Sequence, residues 1–218
     1  MKFLRSVLHR RSFFIRFGGT AGAFAMALAP EARGQRLPIP GWEPTREAQD
    51  DWLDKIPGKH RMMFDSTEPA GFASALMYAN NFYMANKDGY RLQDDDLAVV
   101  IVARHHATPF AFNDAMWKKY GGTIYRLSNF TDPKTKQQPV TNVYMESLNG
   151  LVQRGVRVAV CEMATRDLAQ SIAEDVKGNA DTVFNELAGN LVSNSHLVAA
   201  GIVAVNRAQE HGYAFVNA

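Results

Sequence analysis

The sequence predicts an α/β protein with three layers, in which a mostly parallel central sheet of about five strands lies between helices. Strand-like apolar runs alternate with amphipathic helical segments along the chain, as they do in βαβ units. Leu97–Ala103 is continuously apolar and 155–161 is apolar apart from Arg157, which is typical of strands buried on both faces of a parallel sheet. At 218 residues, 46% of them hydrophobic, the chain is long enough for an ordinary core.

The predicted elements follow one another in regular order. Strands are predicted at 60–65, 97–103, 155–161, 196–199 and 213–216, with a further short strand at 123–127. Helices are predicted at 69–86, 111–120, 142–154, 165–176, 182–191 and 201–211. Pro69 suits a helix start, Gly89 is expected to break the first helix, and Gly121 with Gly122 is expected to end the second. Thr165 with Asp167 suits the amino-terminal cap of the fourth.

Two polar segments between these elements carry no apolar periodicity. Residues 131–141 contain two prolines and several lysines and glutamines, so we predict a loop there. Residues 94–96 are three consecutive aspartates. No alternating ligand pattern follows them, which favours a solvated acidic turn over a metal site.

The first 34 residues have the pattern of an export signal. Arg10 and Arg11 precede a stretch, 17–29, that is uncharged, rich in Gly and Ala, and too short for a comfortable transmembrane span. We interpret 1–34 as a twin-arginine signal cleaved before Gln35, which predicts passage through the twin-arginine export machinery into the periplasm. The alternative is an amphipathic amino-terminal helix that happens to carry two arginines.

The remaining chain is predicted to form a short arm and one domain. Residues 35–58 are rich in Pro and Gly and should pack through Trp42, Trp52 and Leu53, and 59–218 should form a single α/β domain. The chain has 24 Lys+Arg and 22 Asp+Glu, but the signal holds six of those bases and one of those acids, which leaves 18 bases against 21 acids. The mature protein is therefore slightly acidic, so we expect no nucleic-acid partner and no stable membrane insertion.

Candidate chemistry lies at the ends of two predicted strands. Arg104, His105 and His106 follow the second strand, and the single cysteine, Cys161, ends the third and is followed by Glu162. Because parallel strands end at the same edge of a sheet, where ligands bind in open α/β folds, these groups should approach one another. A thiol near a helix amino terminus, with a guanidinium or imidazole close by, has its thiolate favoured.

Three residues of the following helix are predicted to line the same crevice. They are Asn113, Asp114 and Trp117, and together with the strand-end groups they form the candidate binding residues.

Other interpretations of Cys161 remain open. A cysteine on a buried strand is often only a small hydrophobic core residue. A metal site of one histidine with Cys161 is a weaker alternative, since adjacent histidines on an extended segment point to opposite faces and His105 and His106 cannot both ligate one ion without a bend. No nucleotide-binding, dithiol or serine-hydrolase motif is present, so we expect no cofactor and no metal.

Several segments in register resemble the DsrE/DsrF-like family (the DsrEFH superfamily), and in particular its exported branch with a twin-arginine signal. The resemblance covers roughly residues 60–216. It lies in the run Gly-Val-Arg-Val-Ala-Val-Cys at 155–161, in the closing segment 200–213, and in 99–120 with its Arg104-His105, Pro109-Phe110, Asn113-Asp114 and Trp117.

The resemblance implies a fold, an assembly and an activity. It implies a flavodoxin-like three-layer domain that forms homo-oligomers, either trimers or hexamers, and a Cys161 that carries sulfane sulfur as a persulfide. A sulfur donor or acceptor protein would then be a partner. We therefore expect a periplasmic sulfur-binding or sulfur-transferring protein; the alternatives are a non-catalytic protein that binds a small ligand in the same crevice and the histidine–cysteine metal site.

Overall fold

The structure, a computed structural model, describes residues 43–218, and Pro44–Ala218 form one compact unit. The strands are β1 (His60–Ser66), β2 (Leu97–Ala103), β3 (Arg157–Cys161), β4 (Ser195–Val198) and β5 (Ala214–Asn217). The helices are α1 (Pro69–Tyr90), α2 (Asp114–Ser128), α3 (Met145–Gln153), α4 (Glu162–Val176), α5 (Ala180–Ala188) and α6 (Gly201–Glu210). Short 3₁₀-helices lie at Ala48–Asp50, Asp94–Asp96 and His105–Ala111.

All five strands are parallel, in the order β4-β3-β2-β1-β5. From β1 to β4 each strand is added on the same side of the previous one, and the connecting helices α1 to α5 pack on one face of the sheet. The return from β4 to β5 runs the other way, and α6 lies on the opposite face. Right-handed crossovers require this change of face, because the direction of strand addition reverses. The predicted three-layer α/β/α class is confirmed.

The reversal after β4 creates the topological switch point of the sheet. The segment after β3 leads into α4 on one face, whereas the segment after β4 leads into α6 on the other. The chain therefore leaves the carboxyl ends of β3 and β4 towards opposite faces of the sheet. These ends are Cys161 and Val198, which pair in register. In open α/β sheets this switch point is where ligands bind.

The two faces carry separate hydrophobic clusters. On the α1–α5 face, Phe72, Phe110 and Trp117 pack against alternate residues of β1, β2 and β3. On the opposite face α6 shares the cover with the amino-terminal arm, from which Leu53 and Ile56 are buried. The expected packing of the arm through Leu53 and Trp52 is present, while Trp42 and residues 1–34, for which an export signal is predicted, lie outside the described residues.

The two glycine-based helix ends that the sequence predicts are wrong. α1 continues through Gly89 to Tyr90, and Arg91 ends it in the left-handed conformation, because a glycine in an exposed helix costs only about 1 kcal/mol. α2 likewise runs through Gly121 and Gly122. A side chain at Gly121 would lie 3.3 Å from the carbonyl oxygen of Pro139, so this glycine allows close packing and does not end the helix.

The short strand predicted at 123–127 is also wrong, because these residues belong to α2. Thr123 and Ile124 are buried on the same helical face as Trp117 and Tyr120, and a four-residue apolar run does not by itself separate strand from helix. The segment predicted to open this helix, from residue 111, is the end of the 3₁₀-helix His105–Ala111.

The helices α3, α5 and α6 differ from their predicted bounds by one to three residues at their ends. Frayed ends and terminal 3₁₀ turns blur such boundaries in any sequence pattern.

Candidate functional site

Three strand ends meet on the α6 side of the sheet. Asp65 pairs with Val102 in register, and Ala103 pairs with Val160, so the next position places Arg104 beside Cys161. Arg104 keeps an extended backbone (φ −136°, ψ 162°), so the alternation of side chains continues past the end of β2. Asp65, Arg104 and Cys161 therefore share one face at the carboxyl edge of β1, β2 and β3.

Cys161 is the amino-terminal cap of α4. Its Sγ accepts a hydrogen bond from the backbone N–H of Ala164 at 3.4 Å, and Thr165 Oγ1 donates to its carbonyl oxygen at 2.8 Å. The helix therefore begins at Glu162, and the predicted cap at Thr165 with Asp167 is wrong, because the hydroxyl of Thr165 is bonded inside the first turn. A negative charge on Sγ would face an N–H donor at the positive end of a 15-residue helix. Only 7% of the residue is exposed.

Arg104 is held by a buried carboxylate. Its Nε and Nη2 each donate to Asp65, both at 2.8 Å, and Asp65 is only 1% exposed. The pKa of Arg104 is raised, mainly by the hydrogen bonds to Asp65, with a smaller contribution from negative charge on Cys161. Such two-point pairs are geometrically specific, so the guanidinium has one defined position at the strand edge.

A glycine at the start of α6 makes room for this arginine. A Cβ at Gly201 would lie 2.6 Å from Cβ and 2.7 Å from Cδ of Arg104, both closer than real contacts allow. The first turn of α6 therefore packs directly on the aliphatic part of Arg104. This close approach explains why glycine starts the helix even though the preceding Ala200 offers no capping side chain.

His105 and His106 lie on the other side of the same edge. The chain bends into the 3₁₀-helix at His105, which adopts a left-handed conformation (φ 51°), so the two histidines are not extended as the sequence suggests. Both are exposed and line a groove of about 220 Å³. The groove runs between this 3₁₀-helix, the end of α2 and the first turns of α4; its other lining residues are Thr108, Pro109, Ile124, Leu127, Ser128, Ala164, Asp167, Leu168 and Ser171.

The groove and the thiol adjoin through one residue. Ala164 lines the groove, and its N–H is the donor to Cys161 Sγ. Cys161 itself does not line the groove, because its side chain lies on the α6 side of the sheet whereas the groove lies on the side of α2 and α4.

Three of the predicted site residues have structural partners and do not line this groove. Asn113 caps α2 through its side-chain oxygen and donates to Asn190 at 3.0 Å. Asp114 accepts a hydrogen bond from the backbone N–H of Asn142 at 2.8 Å. Trp117 is only 1% exposed and its indole N–H donates to the Pro109 carbonyl oxygen at 2.9 Å, so it belongs to the core. The spacing of these residues from the histidines in the sequence could not show this, because it does not reveal that α2 begins only at residue 114.

Glu162 follows Cys161 but is paired along its own helix. Its carboxylate accepts from Arg166 at 2.8 Å, one turn further on; Arg166 is exposed and Glu162 is partly exposed. The pair is of the kind that contributes only a few tenths of a kcal/mol on a helix surface. We assign Glu162 no contact with the groove.

Sequence reasoning missed Asp65 and Gly201. Asp65 carried a usable signal, because it is an acidic residue that follows the apolar segment of the first predicted strand and so must reach the same sheet edge as Arg104. Gly201 carried only the signal of a glycine at a helix start, which does not identify the side chain that approaches it.

Within residues 43–218, no group of three or more His, Cys, Asp or Glu side chains is arranged to hold a metal ion. Across the same residues, no helix combines the length and the apolar composition that a membrane crossing needs.

No protein-family model matches the chain, and no curated protein matches it. Among solved structures, the chain is similar to MTH1491, a protein of unknown function from Methanobacterium thermoautotrophicum. The two share 15% sequence identity over 73% of this chain and 100% of that chain, with a TM-score of 0.41. A structural similarity this weak supports no conclusion about function.

Proposed function

We propose that the protein takes up sulfane sulfur on Cys161 as a persulfide and passes it on, as the resemblance to the DsrE/DsrF-like family implies. The observation that carries the proposal is the placement of the lone thiol. Its Sγ caps a helix amino terminus and accepts an N–H, and it stands beside a fixed guanidinium at the switch point of the sheet. A sulfur anion formed during the reaction would therefore face an N–H donor at the positive end of α4 and a neighbouring guanidinium.

The chemistry requires a thiolate and a sulfane donor. The Cys161 thiolate attacks the outer sulfur of thiosulfate, the S–S bond of the donor breaks, and sulfite leaves with the bonding electron pair. The product is a Cys161 persulfide anion, so atoms and charge balance without an added oxidant. Attack of an acceptor thiolate on the outer sulfur of the persulfide then returns the Cys161 thiolate and completes the transfer.

The burial of Cys161 restricts the donor. Cys161 is buried, with 7% of the residue exposed, which favours a small inorganic donor such as thiosulfate or polysulfide over the flat surface of a protein. Arg104 keeps 17% of its side chain exposed, and its Nη1 makes no hydrogen bond to the described residues. That free donor can meet the anionic end of the incoming molecule.

Incubation with polysulfide or thiosulfate, followed by intact-mass measurement, tests the proposal. Wild-type protein should gain the mass of one sulfur atom, because it has a single cysteine. The Cys161→Ser variant is the control and should gain none. Wild-type protein that stays at its original mass under both donors contradicts the proposal.

Export, assembly and sulfur relay are further parts of the same proposal. A twin-arginine signal at 1–34 would deliver the folded protein to the periplasm, where it would act as a trimer or hexamer and exchange sulfur with a donor or acceptor protein. Size determination of the mature protein and fractionation of cells that express the full chain test assembly and location directly. A monomeric or cytoplasmic protein contradicts these parts.

A second candidate is a non-catalytic role in which the groove beside His105 and His106 holds a small ligand. It is favoured by the groove itself, about 220 Å³ with apolar walls from Ile124 and Leu168 and polar groups at its mouth. This candidate predicts that Cys161→Ala leaves ligand-induced thermal stabilisation unchanged, whereas His105→Ala abolishes it. If both variants lose the ligand-induced stabilisation equally, the result favours a function of the Cys161 thiol over this candidate.

A further inference from the structure

A second concave site lies at the opposite, amino-terminal edge of the sheet. It is a pocket of about 230 Å³ between the amino-terminal arm and the first residues of β3 and β4. Its lining residues are Trp52, Lys55, Ile56, Arg157, Asn194, Ser195 and His196. Because Arg157 and Ser195 begin their strands whereas Cys161 ends β3, this pocket is separated from the thiol by the length of the sheet.

The pocket carries positive charge without a compensating acid. Lys55 and Arg157 both line it, no carboxylate does, and neither cation forms an ion pair with the described residues. The charge of Asp50 acts on His196, but Asp50 does not line the pocket and lies 3.4 Å from Arg207. The pKa of His196 is lowered, first by burial and then by the charge of Arg157, as expected beside an uncompensated cation.

The polar groups of the pocket leave donors free. Arg157 uses Nη1 to donate to Asn194 at 2.6 Å, and its Nε and Nη2 have no partner among the described residues.

The remaining walls are flat and apolar. The indole of Trp52 stacks on the imidazole of His196 with ring centres 4.5 Å apart and planes 19° from parallel. Ile56, only 3% exposed, closes the floor. Inorganic phosphate would leave most of 230 Å³ empty, whereas a molecule that joins an acid group to a small flat body would fill it.

We propose that this pocket binds a small organic anion, whose acid group meets Lys55 and Arg157 while its body lies against Ile56 and the Trp52–His196 pair. The acid group is a carboxylate or a phosphate ester, since both accept charge-assisted hydrogen bonds from these donors. The site is independent of the thiol, and its ligand need not take part in sulfur chemistry.

Titration of the full chain with benzoate and with phenyl phosphate tests the proposal and separates the two acid groups. Binding is followed by tryptophan fluorescence and by thermal stabilisation, at constant ionic strength, with inorganic phosphate and neutral benzyl alcohol as comparison molecules. At least one of the two organic anions should bind saturably and more tightly than either comparison molecule. No saturable binding by either anion, or equal binding of benzyl alcohol, overturns the proposal.

Variants identify the site of binding. Lys55→Ala and Arg157→Gln should each lower affinity by about ten-fold or more, which corresponds to about 1.4 kcal/mol. Lys55 is exposed, so its truncation should leave the fold intact. Lys59→Ala removes a second exposed lysine that does not line the pocket and should leave affinity unchanged. Cys161→Ser should also bind normally. Unchanged affinity in Lys55→Ala and Arg157→Gln, or equal loss in Lys59→Ala, contradicts the assignment.

Discussion

Removing either partner of the Asp65–Arg104 pair should destabilise the fold, and by unequal amounts. The carboxylate is almost completely buried, with 2% of its side chain exposed, whereas Arg104 keeps 17% exposed. Arg104→Met leaves a buried carboxylate with neither of its two 2.8 Å hydrogen bonds, and such unpaired buried charges cost about 3–5 kcal/mol. Asp65→Asn leaves an arginine that can still reach water, so we expect about 1–3 kcal/mol.

Urea unfolding of each variant, with a check that the m-value is unchanged, measures these differences. The matched control is the exposed pair Arg126–Asp175, 2.7 Å apart, for which Arg126→Met should cost no more than about 1 kcal/mol. The double variant Asp65→Leu with Arg104→Met should recover part of the loss, because no charge then remains buried. A cost for Arg104→Met that is no larger than for Arg126→Met would refute the account of a buried, position-fixing pair.

Three further predictions concern the core, alkaline pH and the start of α6. Trp117→Phe should cost about 1–3 kcal/mol in chemical unfolding, because a buried carbonyl loses its donor, yet leave sulfur loading unchanged. Burial raises the pKa of Tyr83 and of Tyr213 to about 12. The pKa of each tyrosine is lower in the unfolded state than in the folded state. Their contribution to the free energy of unfolding is therefore complete below about pH 10 and is lost as pH rises towards 12. Urea unfolding across that window should show the fall, and Tyr83→Phe, which loses no hydrogen bond to the described residues, should reduce it. Gly201→Ala should cost about 1–3 kcal/mol through overpacking and slow sulfur loading by displacing Arg104; normal stability and normal loading would contradict the close approach.

The fold could be predicted because its central strands are unambiguous. Leu97–Ala103 is apolar at every position, and the structure buries all seven residues as β2. Helix boundaries were less predictable where glycine was the signal. Gly121 allows close packing against the loop that contains Pro139, and that contact is set by residues distant in sequence.

The candidate site was predictable to the extent that strand ends meet at one edge of a parallel sheet. Register alone places Arg104 next to Cys161. The partner of Arg104 was not predictable from its neighbours in sequence, because Asp65 lies on another strand and the pair forms only after β1 and β2 align. The structural role of Trp117 in the core was missed for a similar reason, since its indole N–H donates a hydrogen bond to the backbone of the preceding 3₁₀-helix.

Quantification of cyanide-labile sulfur per chain, after loading with thiosulfate and removal of excess donor, is the most direct test of the central claim. The chain has one cysteine, and we propose that it carries the sulfur as a persulfide. We predict about one labile sulfur atom per chain in wild-type protein and none in Cys161→Ser, with sulfite released in equal amount during loading. Absence of labile sulfur in the wild type, or its persistence in Cys161→Ser, would contradict the assignment of Cys161 as the sulfur-carrying thiol.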